Sequence, residues 1–287
     1  MAETIHDRIE IYYSSLSKGH KKIADYIKEN YEKVSFMTAA ALGKACSVSE
    51  STVVRFASAI GFDGYPELQK NLQETVKNRL TSVQRMEAAN KYDGEDFIER
   101  TFAADIDMIK KTRDNISRED FQGSVEAINK AKRIYILGVR SSASVASFAS
   151  FYMSFLYDVV LVDTSAASEM FEQLLRISSE DVVIAISFPR YSTQTIQALK
   201  FAQSRNATII SITDGEMSPI ASYATYLLVA QSTMVSFVDS LVAPLSLVNA
   251  LIAASARERQ EEVHQNLEAL EQIWDEYHVY RTGREEK

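Results

Sequence analysis

The sequence predicts two domains of different class: an all-α N-terminal domain built around a helix-turn-helix, and an α/β C-terminal domain with a five-stranded parallel sheet covered by helices on both faces. Three observations carry this. Apolar residues in positions 1–78 recur at helical spacing. From residue 116 the period changes, and five short β-rich apolar runs appear, with helix-length segments between the first four. Charge divides at the same place: residues 1–78 hold ten Lys/Arg and ten Asp/Glu, so all of the net −8 lies in the rest of the 287-residue chain. A length of this order is itself a prior of two domains.

In chain order, Ser17 starts a helical segment with apolar Ile23, Tyr26, Ile27 and Tyr31. The next segment contains a helix-turn-helix over residues 39–58. Counting Ala39 as position one, Leu42, Cys46, Val48, Val53 and Phe56 fall at positions 4, 8, 10, 15 and 18, with small Gly43 and Ser47 at 5 and 9. Two helices crossing steeply need apolar residues at the crossing, a small residue where the second helix approaches, and another in the turn. Ser49 is placed to cap the second helix, and Gly61 sits where the chain leaves it. Facing outward are Ser49, Glu50, Ser51, Thr52, Arg55 and Ser58, a set suited to phosphate and base-edge contacts. Ser49, Ser51, Thr52 and Arg55 are the DNA-binding candidates. The cluster of Lys18, His20, Lys21 and Lys22, at the start of the earlier helix, offers phosphate contacts, with the three lysines as the candidates, although such a cluster is more often a solvated face.

Residues 79–115 read as a linker and a connecting helix of about 95–113, with Phe97, Phe102, Ile106 and Ile109 on one side. Strands are expected at Ile134–Leu137, Val159–Val162, Val182–Ile186, Thr208–Ile212 and Tyr226–Val229. Continuously apolar strands alternating with helices mark a parallel sheet buried on both faces. Residues 116–256 form this domain, and 257–287 a C-terminal amphipathic helix carrying Val263, Leu267, Leu270, Ile273, Trp274 and Tyr277. That stripe fits packing on its own domain or a subunit interface equally well.

Ligands of open parallel sheets bind beyond the carboxyl ends of the strands. Two hydroxyl-rich loops lie there, Gly138–Ser144 and Ser187–Thr195, each opening a helix whose free N–H groups suit an anion.

Composition excludes other classes. One cysteine, Cys46, allows neither an intrachain disulfide nor a four-cysteine metal site, and the four histidines show no zinc-binding spacing, so neither metal nor cofactor is expected. No basic-then-apolar leader is seen, and the uncharged run Ser240–Ala256 is too short and too interrupted to span a bilayer. A cytoplasmic protein without membrane partners is expected.

The segment "MTAAALGKACSVSESTVVRFASAIGFDGYPELQKNL", residues 37–72, resembles the N-terminal domain of the MurR/RpiR family of bacterial transcriptional regulators. The matching residues include Val48, Ser49, Thr52, Val53, Arg55, Phe56, Gly61, Phe62, Gly64, Tyr65, Glu67 and Leu68. The α/β part resembles the SIS (sugar isomerase) domain of that family. Its loops follow G-x-G-x-S and S-x-S-G-x-T, which Gly138, Ser142, Ser187 and Ser192 match. The chain departs at Arg140 and Arg190, each replacing a glycine, and at Pro189, replacing a serine. The resemblance implies a regulator that binds double-stranded operator DNA as a dimer or tetramer, controlled by a small anionic metabolite such as a sugar phosphate. Gly138, Arg140, Ser142, Ser187, Arg190 and Ser192 are the effector-site candidates, with the two arginines alternatively paired to acids such as Glu169 or Asp214. The other class to weigh is a sugar-phosphate isomerase, for which Glu169 stands where SIS isomerases can carry a catalytic base. No histidine lies between His20 and His264 to assist it, and no enzyme is expected.

Overall fold

The computed structural model describes residues 5–79, 96–164, 167–232 and 238–280. The chain divides into two units, Met1–Asn90 and Lys91–Lys287. The linker expected from residue 79 lies almost wholly outside the described residues.

The first unit is all helix: α1 (Ile5–Tyr12), α2 (Lys18–Glu29), α3 (Tyr31–Ser35), α4 (Ala39–Ala45), α5 (Glu50–Ala59) and α6 (Tyr65–Arg79). Ser17 does cap α2, its side chain accepting from the His20 N–H. The stripe read as one helix breaks after Glu29, so Tyr31 begins α3. Ile23, Ile27, Leu42, Val53, Phe56, Leu68 and Leu72 are all buried in one core. A large apolar side chain so placed contributes roughly 1.5–3 kcal/mol.

The second unit opens with α7 (Phe97–Asn115), capped by Asp96, and α8 (Arg118–Lys130), capped by Ser117. The sheet consists of β1 (Ile134–Gly138), β2 (Val159–Leu161), β3 (Val182–Ile186), β4 (Thr208–Thr213) and β5 (Tyr226–Val229). All pairs are parallel, in the order β2-β1-β3-β4-β5. Between them lie α9 (Ser142–Met153), α10 (Ala167–Leu174) and α11 (Thr193–Ser204), and α12 (Val242–Glu258) and α13 (Gln260–Glu276) follow. The five expected strands are present, two with their ends as expected and three shifted by a residue.

Alternate residues of each strand feed different layers. Ile134, Ile136, Ile184 and Ile210 pack with Val125 and Ile128 of α8, Val145 and Ala149 of α9, and Leu247 and Leu251 of α12. Tyr135, Leu137, Val183 and Ile209 pack with Met170 and Leu174 of α10 and Leu199 and Ala202 of α11. Burial of both faces is why the strands read as unbroken apolar runs. Gly123 of α8 is required by a close approach, since a Cβ there would meet the Tyr226 ring of β5.

Helix α7 joins this domain through its carboxyl half. Met108 and Thr112 are buried, the Thr112 hydroxyl accepts from the Gln231 N–H at 2.8 Å, and the Ser240 hydroxyl donates to Asp105 at 2.6 Å. Of the stripe expected along one side of this helix, Phe97, Phe102 and Ile106 are at least half exposed and Ile109 is half-buried among the described residues. Helix α13 begins at Gln260 rather than 257 because α12 runs on to Glu258. Its stripe is at best half-buried, and it is tethered by the Asn266 side-chain amide, which donates to the Phe155 carbonyl at 2.9 Å.

Candidate functional site

In the first unit, the helix-turn-helix is α4 and α5. Thr38 caps α4 and Ser49 caps α5, accepting from the Thr52 N–H at 3.2 Å. The turn between them is closed by the Val48 N–H on the Gly43 carbonyl (2.9 Å) and the Ser47 N–H on that of Lys44 (3.3 Å), with Ser47 left-handed at φ 55°. This is the hydrogen-bond pattern of a Schellman cap. Gly43 is needed because a Cβ there would stand 2.9 Å from the Val48 carbonyl oxygen.

The outward face holds the expected residues. Ser49, Ser51 and Arg55 are exposed and Thr52 half-buried. The Ser49 hydroxyl lies 2.9 Å from that of Ser51 and 2.8 Å from that of Thr52. Three hydroxyls sharing two hydrogen bonds leave one O–H to donate outward. Arg55 Nε donates to the Ser51 carbonyl at 3.2 Å, so the guanidinium lies back along its own helix.

The start of α2 is brought beside this turn. A Cβ on Gly19 would lie 3.5 Å from Thr52 Cγ2, and the His20 ring meets that of Phe56 edge-on at 5.8 Å. Burial, then the nearby Arg55 charge, hold the His20 imidazole below its usual pKa. The sequence set His20 in the cluster with Lys18, Lys21 and Lys22 but singled out only the lysines as candidates. That cluster divides. Lys18 and Lys22 are exposed, whereas Lys21 directs its ammonium at the Tyr13 ring, 5.4 Å from the centroid.

In the second unit, the strand order reverses between β1 and β3. In a doubly wound sheet of this order the ligand crevice opens at that point, at the carboxyl ends of the two strands. Gly138 pairs in register with Ile186, so the two loops leave the sheet side by side. Gly138 is buried and lets α9 press on the strand end: a Cβ there would stand 2.5 Å from the Ser142 carbonyl oxygen and 2.8 Å from Ala146 Cβ. Ser142 is buried in the first turn of α9, and Ser187 is buried just beyond β3, its N–H donating to the Ile212 carbonyl at 3.1 Å. Ser192 caps α11, accepting from the Gln194 N–H at 3.2 Å.

Both arginines are exposed, and among the described residues neither forms an ion pair. Asp214 instead accepts from the Tyr191 hydroxyl at 2.6 Å, and Glu169 is exposed in the first turn of α10. Arg140 is left-handed, at φ 58°. The backbone thus keeps a conformation natural to the glycine of the motif, at a cost to a side-chain-bearing residue of ~1–2 kcal/mol. Sequence reading did not single out Thr195, whose hydroxyl, in the first turn of α11, is buried without a hydrogen-bond partner.

The comparisons with known proteins agree with this layout. Residues 3–79 match the helix-turn-helix domain of the rpiR family, and residues 127–254 match the SIS domain. An HTH-type transcriptional regulator of Haemophilus influenzae, itself uncharacterised, is 30% identical over 227 residues, 78% of each chain. The regulator HexR of Pseudomonas aeruginosa is 26% identical over 76% of each. Among solved structures, the sugar isomerase domain of an RpiR transcription factor from Sphaerobacter thermophilus is 28% identical, with a TM-score of 0.56 over 60% of this chain and 97% of that one. The Vibrio vulnificus NanR protein, complexed with ManNAc-6P, shares the fold at 23% identity, with a TM-score of 0.60 over 96% of this chain and 99% of that one. The curated relatives are named as regulators, in line with the expectation that this chain is no enzyme. No described helix is long and apolar enough to cross a membrane. With its helix-turn-helix in the first unit and its SIS domain in the second, the chain belongs to the RpiR family of transcriptional regulators.

Proposed function

We propose that this regulator reads double-stranded operator DNA with α5, and that a small anionic metabolite, a phosphorylated sugar or a related sugar-derived acid, bound in the crevice between the β1 and β3 loops changes its affinity for that DNA. The single observation behind the effector reading is the pair of helices, α9 and α11, that begin at the ends of neighbouring strands at the switch point, with Ser142, Ser187 and Ser192 in the two loops. Helix N-termini with hydroxyl donors suit a phosphate. Arg140 and Arg190 supply the positive charge. A fold relative, NanR, is complexed with ManNAc-6P, a ligand of this class.

On the DNA side, Ser49, Ser51, Thr52 and Arg55 meet the duplex, and Lys18, Lys21 and Lys22 serve its phosphates. One helix-turn-helix makes a small interface, so the working form is a dimer, or a tetramer, reading half-sites ~34–36 Å apart. The test is a gel shift of a fragment upstream of the chain's own gene, with and without a panel of sugar phosphates. Binding that one of them shifts supports the reading. Turnover of those compounds, or absence of DNA binding by the folded protein, overturns it.

A further inference from the structure

The two loops of the crevice offer groups suited to an anion at two levels. The inner level is the first turns of α9 and α11. There the Ser142 side chain is buried, the Ser192 oxygen accepts from the Gln194 N–H and keeps its own hydrogen to donate, and the buried Thr195 hydroxyl lacks a partner. The outer level is the rim. Arg140 lies two residues beyond Gly138 and Arg190 four beyond Ile186, the register partner of Gly138.

Structural duties do not account for these arginines. Both are exposed, and neither forms an ion pair among the described residues. The acid at the end of β4, Asp214, already accepts from the Tyr191 and Thr213 hydroxyls. Arg140 holds a left-handed backbone that glycine would adopt freely. Strain of this kind collects at ligand clamps. A guanidinium grips a carboxylate or phosphate with two parallel hydrogen bonds.

We propose that the ligand of this crevice carries two anionic groups: a phosphate seated at the inner level, and a second anion, carboxylate or phosphate, clamped at the rim by Arg140 and Arg190. The inference rests on the crevice being the effector site.

The test is calorimetry on the full chain with probes that share a 6-phosphate and differ at C1, 6-phosphogluconate being the open-chain acid and the other two rings. Glucose 6-phosphate has one anionic group, 6-phosphogluconate adds a carboxylate, and glucose 1,6-bisphosphate adds a second phosphate. The wild type should bind one or both of the two-ended compounds at least tenfold more tightly than glucose 6-phosphate, and which of them gains tells carboxylate from phosphate. Arg190→Gln and Arg140→Gly should erase that gain, weakening the two-ended compounds at least tenfold more than glucose 6-phosphate. Arg140→Gly should also melt at a higher temperature than the wild type, which shows the loop still folded. Equal binding of one-ended and two-ended probes overturns the two-anion inference alone. So does an arginine variant that weakens all three probes equally, since the arginines would then serve the inner phosphate. If no probe binds, or if binding is indifferent to Ser142→Ala, the effector reading of the crevice falls, and this inference with it.

Discussion

Gly43 and Val48 face each other across the turn of the helix-turn-helix so closely that a Cβ on the glycine would stand 2.9 Å from the valine carbonyl oxygen. The obstacle is backbone, so it cannot rotate away. Glu50 N follows at 3.3 Å. Gly43→Ala should therefore force α4 and α5 apart and destabilise the first unit by ~1–3 kcal/mol. Differential scanning calorimetry should show a lowered transition for that unit, and an unchanged one would mean that the turn has slack.

Arg55→Ala should cost ~1–3 kcal/mol of operator affinity, because Arg is the commonest partner of guanine in the major groove. Effector affinity should not change. Fluorescence anisotropy with a labelled operator measures the loss, and wild-type affinity would remove Arg55 from the interface.

The lysines of α2 should not be equal. Lys18→Ala removes an exposed charge beside the recognition helix and should reduce the salt dependence of DNA binding by about one unit of slope. Lys21→Ala should reduce it less, since its ammonium is turned toward the Tyr13 ring. Equal slopes in an affinity titration across salt concentrations would contradict this.

His20 should make the first unit sensitive to mild acid. Its folded pKa is lowered, first by burial and then by Arg55, so below the unfolded value of ~6.5 the unfolded chain binds a proton that the folded one resists. The contribution is whole above that pH and is lost as pH falls through the folded pKa. Thermal melts at pH 7.5 and 5.5 should show a smaller drop for His20→Gln than for the wild type.

Thr195→Val replaces a buried, unpartnered hydroxyl with a methyl of similar size. Since such a group costs ~1–3 kcal/mol when unsatisfied, the ligand-free variant should melt higher than the wild type. A lower melting temperature would mean that the hydroxyl is already satisfied in solution.

The sheet was legible because Val182–Ile186 and its neighbours are buried on both faces, which forces unbroken apolar runs onto the sequence. The helix-turn-helix was legible for a related reason: Gly43, Ser47 and Ser49 each answer a local demand of backbone geometry or capping. What could not be read depended on distant partners. Periodicity announces the stripe of α7 but not whether anything covers it, and here Phe102 is 65% exposed. The direction of Lys21 is set by Tyr13, from the turn before its helix. The substitutions at Arg140 and Arg190 spoke of charge, while the left-handed backbone of Arg140 and the orphan hydroxyl of Thr195 emerge only once the loops are folded.

The two hydrogen bonds that fix α7, from Gln231 to Thr112 and from Ser240 to Asp105, have a mechanical consequence. The first is an ordinary bond with a net value of ~0.5–1.5 kcal/mol and the second, to a carboxylate, contributes ~1.5–3 kcal/mol, whereas shifting any central strand would open two apolar layers at once. A tilt of α7 about its clipped half is therefore expected to cost less than a shift of a central strand. From Asp105 to Phe97 the helix extends about 12 Å at ~1.5 Å per residue, so a tilt of about 10° carries its free end roughly 2 Å. The helix is a lever, with its fulcrum beside the outgoing end of β5 and its long arm toward the amino terminus.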